Sequence, residues 1–193
     1  MIIDAQIHIW KAETPERPWR SPEAHLPEPF GYEDLLRLMK GAGVDRAVLV
    51  PPGWEGGRED FSLEAAARHP DRFRVMGRIP FTDPSRAADL AHWKEPFGML
   101  GLRVAFQKEE IAPQLTDGTT DWLWPAAEAA GLPIMMFAPG QVAAVMEIAR
   151  AHPRLRIIFD HMGLRREKDA AACDTIDSIL PLAELPNMSV KVT

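Results

Sequence analysis

Two histidines and a small set of cations are the residues whose types and spacing could do chemistry in this chain. His8 lies in the run Ile2-Ile3-Asp4-Ala5-Gln6-Ile7-His8-Ile9-Trp10, whose polarity alternates with a two-residue period. Asp4, Gln6 and His8 fall on one side of a strand and Ala5, Ile7 and Ile9 on the other. That pattern is either a polar site at the strand's C-terminal end or an ordinary half-exposed edge strand. His161 follows a second apolar run in Ile158-Phe159-Asp160-His161-Met162-Gly163. A pair of imidazoles at strand C-termini, with an aspartate beside one of them, suits metal ligation or proton transfer. Arg103, in Gly101-Leu102-Arg103-Val104-Ala105, alternates with small residues that leave room for a guanidinium. It either clamps a carboxylate or pairs with a buried Asp or Glu. Lys191 shares one face of its segment with Ser189 and Thr193 and is open to the same two readings, while Arg165 and Arg166 could reach an anionic substrate from the loop after His161.

The elements that must position these residues alternate along the chain. Strands are predicted at Ile2 to Trp10, Arg46 to Val50, Phe73 to Ile79, Met99 to Phe106, Pro133 to Ala138, Leu155 to Asp160 and Met188 to Thr193. Helices are predicted at Gly31 to Ala42, Asp60 to Arg68, Asp83 to Lys94, Thr120 to Ala130, Gln141 to Ala151 and Lys168 to Leu185. The idiom of helix stop, proline turn and strand start occurs at Arg68-His69-Pro70 and again at Ala151-His152-Pro153, as expected of one βα unit used repeatedly. Between Trp10 and Phe30 run Pro15, Pro18, Pro22, Pro27 and Pro29, with Trp19 and His25 among them. A stiff loop of that length suits a cover over a site.

Seven strands alternating with six helices argue for a parallel α/β sheet, either doubly wound or closed as a (β/α)₈ TIM barrel. The glycine-rich first turn of a dinucleotide fold is absent, and the loops that follow strands are the long, aromatic ones, so the barrel is favoured. A complete barrel needs eight strands and typically about 250 residues, so the 193 residues read as a single barrel domain, 1–193, truncated after the seventh strand.

Composition narrows the class. An apolar content of 46% supports one sizeable core, and a formal charge of −6 without a long basic run excludes the footprint of a nucleic-acid binder. Cys173 stands alone and has no histidine near it in sequence, so it gives no nucleophile signature. No window reaches a membrane-spanning length and no leader is legible, from which a cytoplasmic setting with no membrane partner is expected. His25, His69, His92 and His152 read as structural.

Together, Asp4-Ala5-Gln6-Ile7-His8-Ile9-Trp10, Gly101-Leu102-Arg103, Asp160-His161-Met162-Gly163 and Val190-Lys191-Val192 resemble the amidohydrolase superfamily. More narrowly they are similar to its amidohydrolase-related branch, which includes 2-pyrone-4,6-dicarboxylate lactonase and the sugar lactonases. The resemblance implies a (β/α)₈ barrel that hydrolyses lactones, esters or amides, with one divalent metal, zinc or manganese, or with none; a sister branch decarboxylates acids. It implies catalytic roles for His8 and His161 and a metal site built from His8, Gln6 and His161. Arg103, Lys191, Arg165 and Trp19 would bind a small carboxylated substrate. The chain departs from the family where Gln6 replaces the first His of His-x-His and where Phe137 stands at a common His position. The family's aspartate from the eighth strand has no counterpart here, so the chain by itself is expected to be inactive. A decarboxylase, or a lapsed barrel that only binds an acidic ligand, is the alternative, and a homo-oligomer is an open possibility.

Overall fold

The computed structural model describes residues 1–20, 28–164 and 176–192. Seven strands form one sheet in sequential order: β1 (Ile3–Ile7), β2 (Arg46–Leu49), β3 (Phe73–Arg78), β4 (Met99–Ala105), β5 (Ile134–Phe137), β6 (Ile157–Phe159) and β7 (Met188–Val190). Pairing is parallel from β1 to β3 and from β4 to β7. Four α-helices punctuate the order: α1 (Tyr32–Ala42), α2 (Asp60–Arg68), α3 (Leu123–Ala129) and α4 (Val142–Ala151). Sequential parallel strands with crossovers between them are the topology of a (β/α) barrel, here through its seventh strand, as the pattern of the sequence predicts. Among the described residues no helix is long and apolar enough to cross a membrane.

The residues gather into two compact units, residues 1–78 with 93–101 and residues 79–92 with 102–193. In the first, Leu35 and Met39 sit one turn apart on α1 and enter a core of Ile9, Ala47, Leu49, Ala65, Ala66, Phe73, Val75 and Met99. Helix α1 stops where Gly43 turns left-handed (φ 70°), with Val44 N–H donating to Met39 O and Gly43 N–H to Lys40 O, the paired bonds of a Schellman motif. Helix α2 stops at His69, where the proline that follows disfavours helical backbone. In the second unit every residue of β5 is buried, as befits a parallel strand covered on both faces.

The structure corrects several element assignments. Strand β1 carries an irregularity: Asp4 stands opposite Ala47 and Ile7 opposite Leu49, so three steps on one strand match two on the other. The extra residue interrupts the Asp4-Gln6-His8 alternation. The segment after Asp83 forms 3₁₀ turns over Pro84–His92 rather than an α-helix, because only Leu90 in it is buried and no apolar stripe holds a longer helix. Ile176–Glu184 is likewise 3₁₀, with Pro181 inside it removing a backbone donor and crowding the preceding turn. The remainder of that expected helix, 168–175, lies outside the described residues.

Candidate active site

In the second unit, Arg103 from β4 and Lys191, just after β7, converge on Asp160, the residue after β6. Asp160 is fully buried, and Arg103 and Lys191 are 5% and 6% exposed. Arg103 Nε lies 2.8 Å from Asp160 Oδ2, and the Lys191 ammonium pairs with Asp160 Oδ1. The Lys191 ammonium also touches Met135 Sδ on β5 at 3.4 Å, and Arg103 Nη1 donates to the Val104 carbonyl. Burial pushes the Arg103 guanidinium below its ordinary pKa, and the Asp160 charge opposes that shift. Two cations against one carboxylate leave a formal excess of one positive charge in the group. The sequence left Arg103 and Lys191 open between a substrate carboxylate and a buried acid; the acid is present, and it is Asp160.

His161 follows directly, and with Met162 it is one of the two non-glycine residues at positive φ among the described residues. His161 (φ 52°, ψ 33°), Met162 (φ 53°, ψ 20°) and Gly163 (φ 63°) are three consecutive left-handed residues, a conformation that costs about 1–2 kcal/mol for each non-glycine residue. Hydrogen bonds hold the turn: Met162 N–H donates to Lys191 O at 3.1 Å and Leu164 N–H to His161 O at 3.0 Å. The bonds offset the strain, and the strain places the imidazole. Its ring meets Phe137 of β5 edge to face, with centroids 5.1 Å apart and an interplanar angle of 88°. The Arg103 guanidinium lies 5.8 Å from the centroid of the same Phe137 ring.

In the first unit, His8 follows β1, and its Nδ1 lies 2.7 Å from the Val50 carbonyl just past β2. A carbonyl can only accept, so Nδ1 carries the proton, and a neutral His8 keeps its lone pair on Nε2. Trp54 packs edge-on against the imidazole at 5.8 Å, Trp10 against Trp54 at 5.5 Å, and Phe30 against Trp10 at 5.5 Å. Gln6 is half-buried, with its backbone N–H on Asp4 Oδ1. The proline-rich loop is tied down through Arg17, whose Nε reaches the buried Glu55 at 2.7 Å and whose two terminal nitrogens grip Asp60 at 2.7 and 2.9 Å. These bonds raise the proton affinity of Arg17 and hold Asp60 below the usual carboxylate range. Trp19 is half-buried in that loop and donates its backbone N–H to Glu13. Arg165 lies outside the described residues, as do Arg166, His25 and Cys173.

Among the described residues no three of His, Cys, Asp and Glu come together as a metal-binding group. The carboxylate adjacent to His161 is paired with two cations, and Gln6 supplies only a neutral amide, a poor zinc donor. The described residues therefore do not fit a tightly held metal ion.

Sequence reasoning noted Asp160 only as the neighbour of His161. Its role was legible in principle, since two inward cations on parallel strands need a counter-charge and a strand-end aspartate can supply it. Phe137 enters the sequence reading only as a departure from a family histidine, and nothing in the local pattern of Trp54, Glu55 and Glu59 distinguishes them from core or loop residues.

The sequence profile of a family described as amidohydrolase matches residues 3–193. An L-fucono-1,5-lactonase from Burkholderia ambifaria is 29% identical over 171 residues, covering 82% of this chain and 56% of that protein. A 4-sulfomuconolactone hydrolase from Hydrogenophaga intermedia is 24% identical over 196 residues, covering 98% and 61%. The chain thus spans somewhat more than half the length of these relatives. The crystal structure of a probable 2-pyrone-4,6-dicarboxylic acid hydrolase from Acinetobacter baumannii with citric acid bound superposes with a TM-score of 0.78 at 17% identity, covering 100% of this chain and 70% of that one, a likeness of fold. With its profile matched from Ile3 to the last residue and its strand order that of the barrel, this chain belongs to the amidohydrolase family.

Proposed function

We propose that the protein hydrolyses a lactone, or a related ester, of a small carboxylated molecule. The observation that carries this reading is the buried Arg103–Asp160–Lys191 group beside His161, whose excess positive charge suits an anionic substrate. Relatives named for opening lactones favour the same reaction, and the sulfonated lactone of one of them and the citrate bound to the structural neighbour favour an acidic substrate.

In this reading water adds to the acyl carbon and gives up its proton to His8, which the Val50 hydrogen bond equips as an acceptor at Nε2. An N–H of His161 stabilises the oxygen that becomes negative in the tetrahedral intermediate. Collapse breaks the ring C–O bond, the leaving oxygen takes the proton back from His8, and a hydroxy acid results. The excess positive charge of Arg103 and Lys191 over Asp160 attracts the substrate carboxylate to the side of the group next to His161, and Arg165 assists.

The test, made on the whole protein, is base consumption across a panel of lactones with and without a carboxylate, with and without chelator, alongside detection of carbon dioxide. Carboxylated lactones should be consumed fastest. His8→Ala and His161→Ala should each lower kcat by about a hundredfold or more, in line with general acid-base and oxyanion contributions. Unchanged turnover in either variant would remove that residue from the mechanism. Carbon dioxide release without base consumption would favour a decarboxylase, and binding without turnover would favour a lapsed barrel.

A further inference from the structure

The loop Pro51-Pro52-Gly53-Trp54 and the carboxyl of Glu59 have no part in the chemistry above, yet they form a connected set of contacts that ends on His8. Arg78, the last residue of β3, donates its backbone N–H to Glu59 Oε1 and its Nε–H to the Pro51 carbonyl, both at 2.6 Å. Val50, whose carbonyl receives His8 Nδ1–H, immediately precedes Pro51. The pyrrolidine ring of Pro51 fixes the torsion between the Val50 and Pro51 carbonyls, so holding the second carbonyl orients the first. Neither Pro51 nor Pro52 has a backbone N–H with which the turn could be held otherwise.

Glu59 is seated for this purpose. It precedes α2, which it anchors by accepting Leu63 N–H on its backbone carbonyl at 2.8 Å. Its side chain occupies the space over Gly77, where any Cβ would overlap Glu59 Oε1 and come within 2.9 Å of the Met99 thioether. Glycine at this position of β3 is what admits the carboxyl. The other charged groups nearby are engaged or lie next along the chain: Asp60 is gripped by Arg17, Glu55 also binds Arg17, and Arg58 immediately precedes Glu59.

We propose that Glu59 is a positioning residue for His8, acting through Arg78 and the Val50-Pro51 turn to fix the imidazole as its Nδ1–H tautomer. It rests on the reading that His8 takes part in turnover, but its direct readout does not require turnover. Nitrogen-15 NMR of histidine-labelled protein, with His8 assigned from the His8→Ala spectrum, reports which ring nitrogen is protonated. The wild type should show the Nδ1–H form. Glu59→Ala should shift His8 toward a tautomer mixture and lower kcat about tenfold with little change in KM, the range expected when an outer partner of a functional imidazole is lost. Glu59→Asp, one methylene too short, should do the same, whereas Glu59→Gln keeps the acceptor for Arg78 N–H and should restore the wild-type pattern. An unaltered His8 spectrum in folded Glu59→Ala or Glu59→Asp overturns the proposal. A shifted spectrum with undiminished turnover supports the positioning role and instead overturns the part assigned to His8 in catalysis.

Discussion

Replacing Asp160 by asparagine removes one charge and almost no volume, yet it should be among the most damaging substitutions in the chain. In the native protein two cations, each about 95% buried, face that carboxylate. Taking it away leaves the Arg103 guanidinium and the Lys191 ammonium close together and almost fully buried. Removing one partner of a single buried pair costs about 3–5 kcal/mol, mostly the penalty of the stranded charge. Here two charges are stranded, so about 3–5 kcal/mol is a lower bracket. For a chain of this size about 2–4 °C of melting temperature accompanies each kcal/mol, which gives a fall of about 6–20 °C. The comparison that isolates the cause is Lys191→Met, which leaves Arg103 and Asp160 as a balanced pair beside Met135 and should cost about 1 kcal/mol or less. Urea unfolding of both variants, with midpoints compared at constant slope, provides the measurement. The ranking should persist in added salt, since buried charges are weakly screened. If Asp160→Asn unfolds within about 0.5 kcal/mol of wild type, the scale of an ordinary surface change, the carboxylate is not the counter-charge described above.

Gly163→Ala should destabilise by about 2–5 kcal/mol, combining the cost of a left-handed alanine with the displacement of the Phe159 ring, whose Cζ would lie 2.7 Å from the new Cβ. The check is the same urea series, and the His161 resonances should move with it. Acid stability should depend on Arg17. Its hydrogen bonds hold Asp60 below the ordinary value of 3.8, so the stabilisation is present above that pH and is lost as pH falls through the depressed folded value. Arg17→Met should therefore be less stable than wild type at pH 7 and should converge on it at the lowest pH. A constant gap between the two across the acid range would contradict the assignment.

Much of the architecture could be read from local pattern because its causes are local. Proline after His69 and after His152 disfavours helical backbone in the residue before it, Gly43 ends α1 by adopting a left-handed turn, and the apolar runs of β3 and β5 suit strands covered on both faces. The readings that failed depend on something a periodicity does not contain. The extra residue in β1 is a matter of register against β2, and the 3₁₀ turns at Pro84–His92 reflect how little of that segment finds a core to enter. Within the candidate site, the sequence named Arg103, His161 and Lys191 from their places in strands, but their joint dependence on Asp160 is a tertiary fact. So is the bond from His8 Nδ1 to Val50, which converts an imidazole of unspecified role into an acceptor at Nε2.

The ionic cluster around Asp160 has a consequence for how the second unit comes into being. Its three members are supplied by β4 and by the residues that follow β6 and β7, so they leave the ribosome at well-separated moments. Until Asp160 has been synthesised, Arg103 has no anion to accompany it out of water, and β4 gains little by docking early. Closure of these strands should thus be late and concerted, with the nascent segment kept hydrated by its own unpaired arginine until the aspartate and then the lysine arrive.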